Sequence, residues 1–285
     1  TCALPIYRPI FHRSNPRSCC GGTRTLHLLR TSHRSNGTSL STRQWLSTAM
    51  TLLDLETLSQ SPLTVEGRLV DASNATLYGS VSLSTEKTFA VVYKPIAGER
   101  PLWDFNEGNL ASREVAAYKV SVWLGFDCVP PTVLRDGPYG PGAVQQWIDV
   151  DESVDIIALG QSDRKEIRQM ALFDAVINNT DRKFGHILPS PAGQIYGCDH
   201  GVTFHVDNKL RTVIWQFAGD AFSQQERESL QRLRDLLDGQ GRSDLSTLLS
   251  QDEITALQKR LDNLLESGIF PFPSQEWPAI PWPPV

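Results

Sequence analysis

The sequence predicts an α+β fold in two lobes, a small lobe rich in antiparallel strands followed by a larger, mostly helical one. Three observations carry this. Residues 64–95 and 128–149 hold short β-prone runs between turn-rich breaks, as antiparallel strands do. Beyond residue 150 the apolar residues recur at helical spacing, and two Ser-x-x-Glu capping boxes open long amphipathic runs. Finally, 285 residues with 40% hydrophobic and 21% charged can bury a full core, while no apolar run approaches the roughly 20 residues of a spanning helix.

Residues 1–49 stand apart from the rest. They carry seven Arg and no Lys, Asp or Glu, together with three of the six His and three of the five Cys (Cys2, Cys19 and Cys20). Met50 then opens ordinary amphipathic text, "TLLDLETLSQ". We expect residues 1–49 to be a disordered, non-native leader, either read-through or untranslated sequence ("CALPI" resembles translated adapter) or a transit-like segment. A basic arm for nucleic acid or an anionic surface is the third reading. Cys128 and Cys198 remain; with no C-x-x-C spacing they read as buried thiols in a reducing cytoplasm.

The small lobe and its hinge are expected over 50–150. Val65, Leu69, Leu77, Tyr78, Val81, Phe89, Val91 and Val92 predict a meander that Pro95 stops. A polar loop, 98–109, leads to a helix over 110–125 with Val115, Tyr118, Val122 and Trp123 at helical spacing and Gly125 as its stop. "CVPPTVLRDGPYGPGAVQQWID" predicts two strands across a Gly/Pro turn. The large lobe is expected over 151–272. It opens with a helix over 163–178 whose face is Ile167, Met170, Ala171, Phe173, Asp174 and Ile177. Ser223 with Glu226 and Ser250 with Glu253 start two further helices. The Pro-rich tail, 273–285, is expected to be extended and to lie along the body.

Between the helices, "INNTDRKFGHILPSPAGQIYGCDHG" places Asp181 and Asp199 at one end of a short hairpin. Two carboxylates there suit a base and a metal ligand, and phosphoryl transfer needs little beyond positioning, a divalent metal and charge neutralisation. Lys94 ends a strand upstream and Glu114 lies in the next helix. Strand Lys, helix Glu, loop Asp and post-hairpin Asp is the order found in kinases.

"FDAVINNTDRKFGHIL…YGCDHGVTF" resembles the phosphatidylinositol 3- and 4-kinase-like branch of the protein-kinase-like superfamily, to which the HipA toxin kinases also belong. From about Leu53 to Phe272 the chain resembles compact actinobacterial proteins related to these kinases. The resemblance implies a protein-kinase-like fold and transfer of the ATP γ-phosphate to a hydroxyl acceptor. It maps the phosphate-holding Lys onto Lys94 and its helix partner onto Glu114. It maps the phosphate-covering turn onto Ser73, Asn74 and Ala75, and the adenine-binding hinge onto Gln145, Gln146, Trp147 and Ile148. Asp181 takes the place of the catalytic base, and Asp199 that of the ligand to Mg²⁺, with Mn²⁺ as the other candidate.

Two departures mark this chain. It lacks a Gly-rich phosphate loop, and His186 stands where the family places a metal-binding Asn, with Asn178 and Asn179 as other polar contributors. Asp174, Arg182 and His205 read as structural, His200 as a neighbour supporting Asp199, and Trp103 and Trp215 as core or lobe-packing. The implied partners are ATP and a hydroxyl-bearing acceptor, with no nucleic acid and no integral membrane association, in the cytoplasm. Only Lys209 and Arg211 are basic in the stretch after Asp199, which favours a protein or small-molecule acceptor over a lipid. A nucleotide-binding pseudokinase acting as a scaffold is the alternative, and an α+β domain with unrelated acids the remaining one.

Overall fold

The computed structural model describes residues 52–69, 74–84, 86–105 and 108–285. The leader expected over 1–49, and Ser73 of the phosphate-covering turn, lie outside the described residues.

Five antiparallel strands build the small lobe: β1 (Leu63–Arg68), β2 (Leu77–Ser82), β3 (Thr88–Pro95), β4 (Thr132–Gly137) and β5 (Gly140–Gln146), in the order β1-β2-β3-β5-β4. A short helix, α1 (Leu55–Gln60), precedes them, its N-terminus capped by the Asp54 carboxylate accepting from Thr57 N. Leu53, Leu58, Val81, Val91, Tyr93, Val133 and Val144 form the core of this lobe.

Helix α2 (Leu110–Leu124) packs Ala111 and Val115 against Ala143 of the sheet. The Asn109 side chain accepts from Ser112 N at its start, and Gly125 ends it at φ 70°, a left-handed conformation that glycine adopts without strain. Its buried face differs from the expected one. Val122 is exposed and Tyr118 and Trp123 only half-buried, whereas Arg113, Glu114, Ala116, Ala117, Val120 and Ser121 are buried. A helix enclosed by sheet and large lobe buries two faces, so the apolar stripe alone does not reveal its orientation.

The large lobe contains α3 (Ile156–Gly160), α4 (Lys165–Ile177), the hairpin β6 (Ile187–Pro189) and β7 (Ile195–Gly197), then α5 (Gln224–Leu237), α6 (Gln240–Leu245) and α7 (Gln251–Ser267). All six residues expected on the inner face of α4 are buried. Asn178 ends that helix at φ 53°. Both capping boxes form as the sequence predicts, Ser223 with Glu226 and Ser250 with Glu253. The core runs from α2 through Phe173, Phe204, Leu230 and Leu233 to Leu257 and Leu261 on α7. Among the described residues no helix is long and apolar enough to cross a membrane.

The tail lies along the large lobe in extended form. Thr212 N and Trp215 Nε1 both donate to Ala279 O, at 3.1 and 2.9 Å, and Phe184 N donates to Pro284 O at 2.9 Å. Trp215 is accordingly half-buried. Trp103 is not core: it is 79% exposed, at the tip of the polar loop ahead of α2.

Candidate active site

Lys94 is the penultimate residue of β3, held in register opposite Ala143 of β5. Its ammonium donates to Glu114 Oε1 and to Asp199 Oδ1, the latter at 2.9 Å, thereby joining sheet, α2 and the end of the hairpin. Burial works against its charge, but the carboxylates of Asp199 and Glu114 outweigh it and push the ammonium further toward the protonated state. Reciprocally, Lys94 holds the Asp199 carboxyl well below the usual carboxylate range. The other Glu114 oxygen accepts from His200 N at 3.0 Å. Gly201 lets the bend after Asp199 approach α2: a Cβ there would lie 3.1 Å from Leu110 Cβ.

Beneath this site lies a buried ion pair. Arg182 and Asp174 have side chains 0% exposed and meet through Nη2 to Oδ1 at 2.9 Å and Nε to Oδ2 at 3.0 Å. Arg182 also donates to the carbonyls of His186 and Cys198, which tethers both ends of the hairpin. Asp174 further accepts from Asn179 Nδ2 and Thr212 Oγ1, so one carboxylate joins α4, the loop carrying Asp181 and the stretch at Thr212. Because Arg182 can only donate, His200 Nε2 at 2.8 Å is an acceptor, which assigns the proton to Nδ1, 4.0 Å from Glu114 Oε2. Burial first, then the charges of Arg182 and Lys94, keep His200 neutral. Removing one member of a buried pair costs about 3–5 kcal/mol because the other charge stays behind. Asp174→Asn is therefore expected to lower unfolding free energy by about that amount in urea titrations; an unchanged midpoint would contradict the anchoring role.

The residues before Asp181 are structural. Asn178 Nδ2 donates to the carbonyls of His205 and Asp207, while Asn179 bridges Asp174 to the amide of Asp181. Both asparagines are fully buried, so their side chains are spent on the loop rather than offered to a metal. Asp181 forms an ion pair with Lys183 at 3.1 Å, its side chain 28% exposed. Lys183 carries no motif of its own in the sequence; its position two residues after Asp181 is the one signal for it.

His186 faces both acids. Its Nε2 is 3.6 Å from Asp199 Oδ2, and Asp181 also acts on its charge. Burial nevertheless lowers its pKa, favouring the neutral imidazole that a metal requires. Its Nδ1 is buried with no hydrogen-bond partner among the described residues. No group of three or more His, Cys, Asp or Glu side chains converges there as a metal-binding cluster, among the described residues. One carboxylate and one neutral imidazole still fit a divalent cation completed by phosphate oxygens and water, the usual manner of Mg²⁺ in nucleotide sites.

The residues expected to face a nucleotide lie around the sheet. Asn74 accepts from Arg100 N at 2.9 Å, and the neighbouring Ala75 amide donates to Gly98 O. Gln145 and Gln146 are buried, Gln145 donating to Thr132 Oγ1 and Gln146 accepting from Leu53 N. The amides of Gln146 and Trp147 donate to Pro131 O and Ala90 O.

The thiols are free, Cys128 buried and Cys198 half-buried, and burial pushes each up to about 12. Since the thiolate is the nucleophile, iodoacetamide at pH 8 is expected to leave both unlabelled in the native chain and to label both in urea. Fast native labelling at either would contradict this.

No protein-family model matches the chain. Among solved structures, the Golgi casein kinase with Mn/ADP bound is 15% identical with a TM-score of 0.48, covering 74% of this chain and 74% of that one. Hydra Fam20 with sugar is 15% identical with a TM-score of 0.47, covering 75% and 87%. The Helicobacter pylori proinflammatory kinase CtkA is 13% identical with a TM-score of 0.43, covering 75% and 94%. Sequence similarity is far higher to Protein Rv2133c of Mycobacterium tuberculosis, 40% identical over 272 residues, spanning 82% of this chain and 97% of that protein. On that relationship, the chain belongs to the Rv2133c family.

Proposed function

We propose that the protein is an ATP-dependent phosphotransferase of the phosphatidylinositol 3-/4-kinase-like type, moving the γ-phosphate to a hydroxyl acceptor. The observation that carries this reading is the Lys94 ammonium held between Glu114 and Asp199, beside a loop that presents Asp181 and Lys183. In this reading Lys94 binds the α- and β-phosphates while Glu114 keeps its side chain extended toward them. A divalent cation, Mg²⁺ or Mn²⁺, would be held by Asp199 and His186 and would supply charge neutralisation at the phosphates. Asp181 orients the acceptor hydroxyl and takes its proton as the new O–P bond forms and the bond to the ADP oxygen breaks. Lys183 places a positive charge where the transferred group gathers negative charge.

The acceptor is a protein or small molecule rather than a membrane lipid. Lys209, with Arg211 one of the two Lys or Arg residues in the stretch 200–220, is buried and paired with Asp104, which leaves little basic surface there for headgroups. We place the protein in the cytoplasm, where ATP is abundant and free thiols stay reduced.

Lys94→Met tests the reading. A truncated buried charge pair costs about 2–5 kcal/mol, so kcat/KM for ATP, followed by ADP release, is expected to fall about 100-fold or more. Wild-type kinetics in this variant would overturn the assignment of the small-lobe lysine. ATP binding without turnover in the unmutated chain would instead indicate a nucleotide-binding scaffold.

A further inference from the structure

Outside the residues assigned so far, one buried cation collects three distant segments. Lys209 is 6% exposed, yet its ammonium lies 3.3 Å from Asp104 Oδ2, 5.3 Å from the Trp103 ring centroid and 4.6 Å from the Trp277 ring centroid. Trp103 and Asp104 belong to the small-lobe loop ahead of α2, Lys209 to the stretch after Asp199, and Trp277 to the Pro-rich tail. His205 completes the cluster. Its Nδ1 accepts from Asp207 N at 2.9 Å, while its Nε2 lies 2.8 Å from Asp104 O and 3.2 Å from the Lys209 ammonium. Phe105 stacks edge-on to the same imidazole, at 5.1 Å. A carboxylate and two aromatic faces compensate a desolvated ammonium where either alone would do so less well.

The backbone around Lys209 is what sets the loop carrying Asp181. Lys209 N donates to Asn178 Oδ1, Arg211 N to Asn179 O, Arg182 N to Arg211 O, and Val213 N back to Arg182 O. Displacing residues 209–213 would therefore release both sides of Asp181.

We propose that Lys209 is a positioning residue for the transfer reaction: gripped by Trp103 and Asp104 of the small lobe and by Trp277 of the tail, it holds residues 209–213 against the Asp181 loop. The inference rests on the kinase reading for its catalytic consequence, and on the contacts alone for its structural one. It gives the Pro-rich tail a part in ordering the site.

The test uses the full chain, with Lys209→Met, Lys209→Arg and Trp277→Ala. Hydrogen exchange at the amides of Arg211 and Val213 is read beside turnover of ATP with Mg²⁺, water serving as acceptor. Lys209→Met is expected to speed exchange at those amides about 10-fold or more and to lower kcat about 5- to 20-fold. KM for ATP should stay within about 2-fold, because the Lys94 pairings are untouched. Lys209→Arg, which keeps the charge and the aromatic contact, should restore both values. Unchanged exchange and kcat in Lys209→Met would overturn the proposal. So would a uniform loss of protection across the chain that Lys209→Arg shares. Should Lys209→Met fail to fold, Trp277→Ala, which removes one aromatic face, is held to the same two results. A wild-type chain that turns over no ATP would defeat the kinase reading instead, and the exchange comparison would still decide the clasp.

Discussion

Asp199→Asn is expected to abolish metal-dependent ATP binding while leaving the chain folded. Asparagine is the appropriate replacement because Asp199 sits at φ 59°, where Asn is tolerated and most side chains are strained. The substitution keeps the shape and removes the charge that Lys94 faces at 2.9 Å and that a cation would need. With its partner gone, Lys94 retains Glu114, so the fold keeps one of the two ion pairs at the site. A metal contributes about several kcal/mol of charge stabilisation, and each 1.36 kcal/mol is tenfold. Turnover is therefore expected to fall by about three orders of magnitude, with stabilisation by ATP and Mg²⁺ lost in thermal unfolding. A variant stabilised by ATP and metal as strongly as the wild type would remove Asp199 from the site.

Asp181→Asn should separate binding from chemistry. Asp181 contacts Lys183 and is positioned through Asn179, but makes no contact with Lys94, Glu114 or Asp199 among the described residues. ATP affinity in the presence of metal is accordingly expected to stay within about 2-fold, while transfer falls about 10²- to 10⁴-fold, the range of general-base removal. The neighbouring Lys183 would lose its ion-pair partner without being buried by the change, so stability should alter little. Full turnover in this variant would show that Asp181 is not the base. The two variants together distinguish a nucleotide-holding acid from a proton-accepting one.

Much of this arrangement was legible because local pattern dictated it. Capping boxes at Ser223 and Ser250, the inner face of α4 and the strand runs of the small lobe depend on neighbours a few residues away, and all appear in the fold. The chain order of Lys94, Glu114 and Asp199 also pointed to residues that do meet in space. What the sequence withheld depends on long-range partners. Asn178 and Asn179 look like free polar groups beside a carboxylate, yet their amides are taken up by carbonyls and an acid elsewhere in the fold. Trp103, expected in the core or between the lobes, lies on an exposed loop with its ring against a lysine of the other lobe. The amides of Gln146 and Trp147, in the expected hinge, donate to the carbonyls of Pro131 and Ala90, partners far away in sequence. Helices α1, α3 and α6 span at most six residues each, too few for a period to show.

If this chain closes a metal-dependent nucleotide site around Lys94 and Asp199, calorimetric titration of the full chain with ATP in Mg²⁺, in Mn²⁺ and in chelator will reveal it. Saturable one-to-one binding is expected with either metal, and about tenfold weaker binding, or none, in chelator. Absence of binding under all three conditions would contradict it.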